Sequence, residues 1–212
     1  MRRAADTARS PGRPKSERKR KEILTAAVSL FTEKGYEGTS VDDIAREAGV
    51  SKQTVYSHYN NKQTLFALAV EKKCRESGMD PEFIDPEEEP GIMLLELGRR
   101  FVGLLISPGA VRVHSVCTSS ADSHPELGRL FFEHGPLQAV EVVSNYLAML
   151  DKKGKLEIEE PDRAAWQFFG MLKAEAQMRA QFNLERQSKS DLEHYIQSCV
   201  DMFLRAYAPR GA

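Results

Sequence analysis

The sequence predicts an all-α protein: an N-terminal three-helix unit followed by a larger helical body. Three observations lead there. Residues 39–62, TSVDDIAREAGVSKQTVYSHYNNK, read as two short helices joined by a glycine turn. Every other periodic stretch repeats at three and four residues, and none alternates as a strand would. Proline, glycine and serine fall at the ends of these stretches, where helices start and stop.

The first helix spans Ser16 to Lys34, with Ile23, Ala26, Ala27, Leu30 and Phe31 as its apolar face and Gly35 as its stop. In the next, Ser40 is an N-cap ahead of Asp42 and Asp43, and Val41, Ile44, Ala45 and Ala48 share a face. Gly49 supplies the left-handed turn, and Ser51 caps a third helix that turns Val55 and Tyr59 inward. Its outer face, with Lys52, Gln53, Thr54 and Tyr56, is polar. A short helix, a tight turn and a polar-faced helix form the helix-turn-helix arrangement, whose second helix enters the major groove of DNA.

Asn61 caps a fourth helix to about Glu76, carrying Leu65, Phe66, Leu68, Ala69 and Val70. The acidic run Asp80 to Pro90 holds three prolines and marks a loop or a very short helix at the boundary. Beyond it lie a helix from Ile92 to Ile106 stopped by Pro108-Gly109, and a shorter one from Val111 to about Thr118. His124 to Leu150 is a helix broken or kinked at Gly135-Pro136. A helix from Pro161 to about Phe182 follows, and the last runs from Ser190 to about Tyr207 with Ser190 and Glu193 as a capping box. The expected organisation is therefore residues 1–15 as a flexible basic arm, 16–62 as the three-helix head, 63–79 as a connecting helix, 80–90 as an acidic loop and 91–212 as the helical body.

Charge is divided between the two ends. Residues 1–62 hold 13 Lys and Arg against 8 Asp and Glu, whereas the rest hold 17 against 23, within a net charge of −1. A basic head beside an acidic body suits a protein of which only the head meets a polyanion. An architectural DNA-coating protein would spread positive charge more widely. The arm contains Gly12-Arg13-Pro14, the centre of an AT-hook, but Pro11 stands where the hook has a basic residue.

No apolar run reaches the roughly 20 residues of a membrane helix, and no apolar segment follows the basic start, so the expected location is the cytoplasm. Cys74, Cys117 and Cys199 are scattered and read as buried free thiols. His114 and Cys117 share a helical face, but two donors do not close a metal site, and no cofactor is expected. No GxSxG, P-loop, HExxH or dinucleotide fingerprint occurs, so nothing points to an enzyme.

The run AREAGVSKQTVYSHYNNK, preceded by ILTAAVSLFTEKGYEGTS and followed by QTLFALAV, resembles the N-terminal domain of TetR-family transcriptional regulators over Ile23 to Val70. The segment HPELGRLFFEHGP is similar to the regulatory domain of the AefR-like branch, whose members are often tied to efflux or quorum-sensing control. The resemblance implies a DNA-binding head and a ligand-binding, dimerising helical body.

It assigns Thr39, Thr54, Tyr56, His58 and Lys62 to phosphates, and places Lys52 and Gln53 near bases. Physics agrees, since Lys can donate to guanine and Gln can pair bidentately with adenine. Ser40, Ser51 and Tyr59 complete the candidate DNA-binding set; Ser51 and Thr39 also suit caps, and Tyr59 also suits the core.

The resemblance further implies a homodimer on a palindromic double-stranded operator, pairing through its last two helices. Phe168, Phe169, Leu172, Ile196, Val200 and Phe203 are the apolar residues available for that bundle or for the protomer's own core. It also implies a small apolar or amphipathic effector in the body that releases DNA. Candidate lining residues are Phe101, Leu105, His114, Cys117, Phe131, Tyr146, Trp166, Phe169 and Met178, each of which also suits ordinary core.

Overall fold

A computed structural model describes residues 16–209; the arm expected over 1–15 lies outside the described residues. These residues form α1 (Glu17–Lys34), α2 (Val41–Glu47), α3 (Lys52–His58), α4 (Lys62–Glu76), a 3-10 turn (Pro81–Phe83), α5 (Pro90–Leu105), α6 (Pro108–Ser119), α7 (Pro125–His134), α8 (Pro136–Lys152), α9 (Pro161–Gln181) and α10 (Lys189–Ala206). No strand occurs among them.

Local chemistry sets most of these limits. Ser16, Ser40, Ser51 and Asn61 each accept a hydrogen bond from the backbone three residues on, satisfying an otherwise unpaired N–H. At Ser40 the bond is reciprocal, with Asp43 accepting from the Ser40 backbone at 3.1 Å. Gly49, at φ 62°, turns the chain out of α2, and the Val50 N–H returns to the Ala45 carbonyl at 2.9 Å.

Some boundaries differ from the sequence reading: α5 starts at Pro90 instead of Ile92, and two others have a local cause. Pro108 opens α6 instead of only ending α5, because Ser107 caps the helix and a first-turn proline needs no N–H partner. Ser188, not Ser190, caps α10, accepting from Asp191 N at 3.1 Å. Glu193 is instead drawn across to Arg99 of α5, whose Nε lies 2.9 Å from it. That guanidinium holds the Glu193 carboxyl below its ordinary range. At Gly135-Pro136 the chain makes two helices, α7 and α8.

Two apolar cores result. One gathers α5, α8, α9 and α10 around Leu94, Leu97, Leu147, Leu150, Phe168, Leu172, Val200 and Phe203. The other joins α1 to α4 around Ile23, Ile44, Val55, Leu65 and Phe66, and takes in Cys117 of α6 and Leu127 of α7. The head therefore shares its core with two helices of the body.

The seat of α6 on α1 is close. A Cβ on Gly109 would stand 2.0 Å from the Thr32 methyl, and Arg112 donates to the Thr32 carbonyl at 3.0 Å. The acidic segment is anchored at Asp80, which pairs with Arg75 and accepts from Glu82 N at 2.8 Å.

Candidate nucleic-acid interface

Helix α3 is held from behind and open in front. Val55 is fully buried and Tyr59 is buried at its C-terminal cap, while Ser51, Lys52, Gln53, Tyr56 and Ser57 face solvent and Thr54 and His58 are half-buried. This fixes the helix by one apolar face and leaves a polar face for base edges and phosphates.

The exposed residues differ in their commitments. Gln53 makes no side-chain bond among the described residues and is free to pair with a base. The Lys52 ammonium lies 2.8 Å from Asp42 of α2, and that hydrogen bond raises its pKa. Ser51 Oγ is 2.8 Å from Thr54 Oγ1 and accepts from the Thr54 backbone at 3.1 Å, so both hydroxyls help start α3. Ser40 is engaged in the capping box of α2.

Three residues expected at DNA sit differently. Thr39 is 1% exposed, and its hydroxyl lies 2.8 Å from the Gly35 carbonyl and 3.1 Å from that of Leu30. It clasps the α1–α2 turn instead of facing a phosphate. Tyr59 belongs to the core, its hydroxyl donating to the Arg20 carbonyl of α1 at 2.8 Å. Lys62 is half-buried, with its Nζ 3.9 Å from the centre of the Tyr36 ring, and burial lowers its pKa. Burial also pushes the Tyr36 phenol up to about 12, keeping it neutral.

The nine candidate effector residues fall in three places. Phe101, Leu105, Tyr146 and Phe169 lie within or against the body, with the Phe101 and Phe169 rings 4.2 Å apart. The Tyr146 hydroxyl is buried and has no hydrogen-bond partner among the described residues. Around α6 and α7, His114 meets the Phe131 ring edge-on at 5.9 Å, its Nδ1 is 2.8 Å from Gln181 Nε2, and Cys117 is buried against the head. Trp166 and Met178 are exposed, Trp166 stacking on Phe132 at 5.9 Å.

Two hollows flank α4. One of about 500 Å³ lies between α4 and α7 and is bordered by Gln63, Leu68, Arg129, Leu130 and His134. The other, about 260 Å³, lies between α4 and α8 and is bordered by Cys74, Met79, Glu141 and Asn145. None of the nine candidates lines either one. Sequence periodicity could not find these hollows, because they depend on how helices distant in sequence splay apart.

A buried-backed helix with a polar outer face, held in a three-helix head on an all-helical body, defines a helix-turn-helix regulator of transcription. Residues 23–69 match the family described as bacterial regulatory proteins, tetR family, and residues 93–209 match the AefR-like transcriptional repressor C-terminal domain. The chain belongs to the TetR family of transcriptional regulators.

Among solved structures, it is similar to a TetR-family regulator from Mesorhizobium loti, 32% identical, covering 92% of this chain and 100% of that one with a TM-score of 0.77. It is also similar to the flavonoid-responsive regulator FrrA, 28% identical, covering 92% and 100% with a TM-score of 0.71. Among curated relatives, the HTH-type regulator YezE of Bacillus subtilis is 28% identical over 68% of this chain and 75% of its own length. The biofilm-operon negative regulator IcaR of Staphylococcus epidermidis is 43% identical, over 23% of this chain and 26% of its own length. No single helix among the described residues is long and apolar enough to cross a membrane.

Proposed function

We propose that the protein is a homodimeric repressor that binds a palindromic operator and leaves it when a small-molecule effector occupies the body. The carrying observation is α3, with Gln53 free, Lys52 and Tyr56 exposed, and Val55 and Tyr59 locked behind them. One such helix reads few base pairs, which favours two copies on two half-sites. Gln53 and Lys52 choose the sequence; Thr54, Tyr56 and His58 hold phosphates.

The pairing surface we infer is the outer face of α9. Phe168, Phe169, Leu172, Ile196, Val200 and Phe203 are all between 0% and 4% exposed within the protomer, so they are not free for a partner. Trp166, Gly170, Ala174, Met178 and Phe182 instead form an exposed row at four-residue spacing, joined by Phe132 at the Trp166 end. A ridge of this spacing packs against its own copy by interdigitation. Burying it removes a run of apolar surface of the kind that marks association sites.

For the effector, the named flavonoid response of FrrA supports a planar aromatic compound bearing hydroxyls. The unpaired Tyr146 hydroxyl among apolar neighbours supports a ligand carrying at least one polar group. Filling space between body helices biases the angle of α4 and hence of the head, which is how a ligand preferring one of two states acts. Incubation of the DNA-bound protein with hydroxylated flavonoids tests this: DNA release at micromolar ligand supports it, and unaltered binding across the series removes that effector class.

A further inference from the structure

The head carries more positive charge than its reading helix uses, and that excess has a defined place. In the helix-turn-helix itself the cations are engaged: Arg46 pairs with Asp43, Lys52 with Asp42, and Lys62 lies over the Tyr36 ring. On α1, Arg18 pairs with Glu22 at 2.9 Å. Lys19, Arg20 and Lys21 are exposed and have no carboxylate within ion-pair distance among the described residues.

These three side chains are tied to the reading helix by a rigid link. Tyr59 ends α3, its ring is 2% exposed, and its hydroxyl donates to the Arg20 carbonyl at 2.8 Å. This contact sets the backbone of the first turns of α1 beside the end of α3. At the start of α1 the Ser16 hydroxyl accepts from Lys19 N at 3.5 Å, and the charge offered to a partner is chiefly that of the side chains.

We propose that Lys19, Arg20 and Lys21 form a second phosphate-binding surface, which continues the contact of α3 along the DNA backbone and supplies affinity without reading sequence. The proposal rests on α3 being the DNA-reading helix. Lys19 and Lys21 lose no internal partner on meeting phosphates, and Arg20 gives up only its side-chain contact with the Tyr59 hydroxyl, whereas Lys52 must first leave Asp42. Phosphate contacts of this kind release counterions and make binding salt-dependent. Glu17 and Glu22 lie in the same turns and oppose a phosphate, leaving the surface a net excess of positive charge.

The test compares the full-length protein with a Lys19→Gln/Arg20→Gln/Lys21→Gln variant, measuring affinity for an enriched duplex and a scrambled duplex over a range of salt. Each lost phosphate contact lowers the slope of log affinity against log salt by about 0.9. The expected result is a slope reduced by about 2 to 3, weaker binding to both duplexes and an unchanged ratio between them. A Lys19→Arg/Arg20→Lys/Lys21→Arg variant keeps the parental slope. An unchanged slope in the glutamine variant, or an equal loss in the charge-keeping one, overturns the proposal. If the parent shows no preference for the enriched duplex while the slope still falls, the reading role of α3 fails and the phosphate surface stands.

Discussion

Lys52 of α3 and Asp42 of α2 face each other across the helix-turn-helix with 2.8 Å between ammonium and carboxylate. In the proposed DNA complex Lys52 must leave this carboxylate before it can donate to a base. Both groups are largely solvent-exposed, so the pair contributes little to stability and acts chiefly on recognition. Asp42→Asn should strengthen binding to any duplex several-fold while narrowing the gap between operator and scrambled DNA. Equal gap and affinity, measured by titration at fixed salt, would refute this role for Asp42.

Gln53 carries the opposite signature. With no partner to lose inside the protein, Gln53→Ala should leave the thermal midpoint unchanged. Discrimination against scrambled DNA should fall by about 1–3 kcal/mol, the worth of one bidentate base contact.

The division between what the sequence shows and what it hides follows the range of each interaction. Ser40, Gly49, Ser51 and Asn61 act on backbone a few residues away, so the head's helices were legible in order. Tyr59 and Lys62 have partners 39 and 26 residues distant in the chain, at Arg20 and Tyr36, and Thr39 reaches back across the α1–α2 turn to Gly35 and Leu30. Those contacts, which move the residues towards the interior, appear only once the chain is folded. In the same way, the 3.6-residue period marks Phe168 and Trp166 alike as apolar on α9 without saying which faces the protomer's core. Ser188 caps α10 in place of the expected Ser190, and Glu193, the expected box partner, binds Arg99, 94 residues away.

The outer row of α9 makes a direct prediction. Met178→Glu/Phe182→Glu should convert a dimer to a monomer in analytical ultracentrifugation while preserving the helical circular dichroism spectrum, since both side chains are more than half exposed in the protomer. A dimer of undiminished strength would place the pairing surface elsewhere.

Gly109 sets how closely α6 lies on α1. An added methyl would collide with Thr32, so Gly109→Ala should cost about 1–3 kcal/mol, as overpacking of a tight contact does. For a chain of this length each 1 kcal/mol lowers the thermal midpoint by about 2–4 °C. An unchanged midpoint would show that the two helices separate freely there.

His114 links acidity to stability. Burial, reinforced by Lys173, lowers its pKa below the ordinary value, so the folded protein favours the neutral ring that accepts from Gln181. As pH falls below about 6.5 the unfolded chain takes up the proton first, and stability drops until the folded pKa is passed. Above that window the contribution is complete. His114→Gln should flatten the fall in denaturation midpoint between neutral and mildly acidic pH, and an identical pH profile in the variant would contradict this.

The most direct measurement is selection of DNA fragments on the purified full-length protein, followed by sequencing of what is enriched. The account predicts a palindrome whose half-sites lie about one helical turn apart, with the enrichment lost in Gln53→Ala. Strong binding that enriches no sequence would contradict it, leaving a protein that holds DNA through charge without reading it.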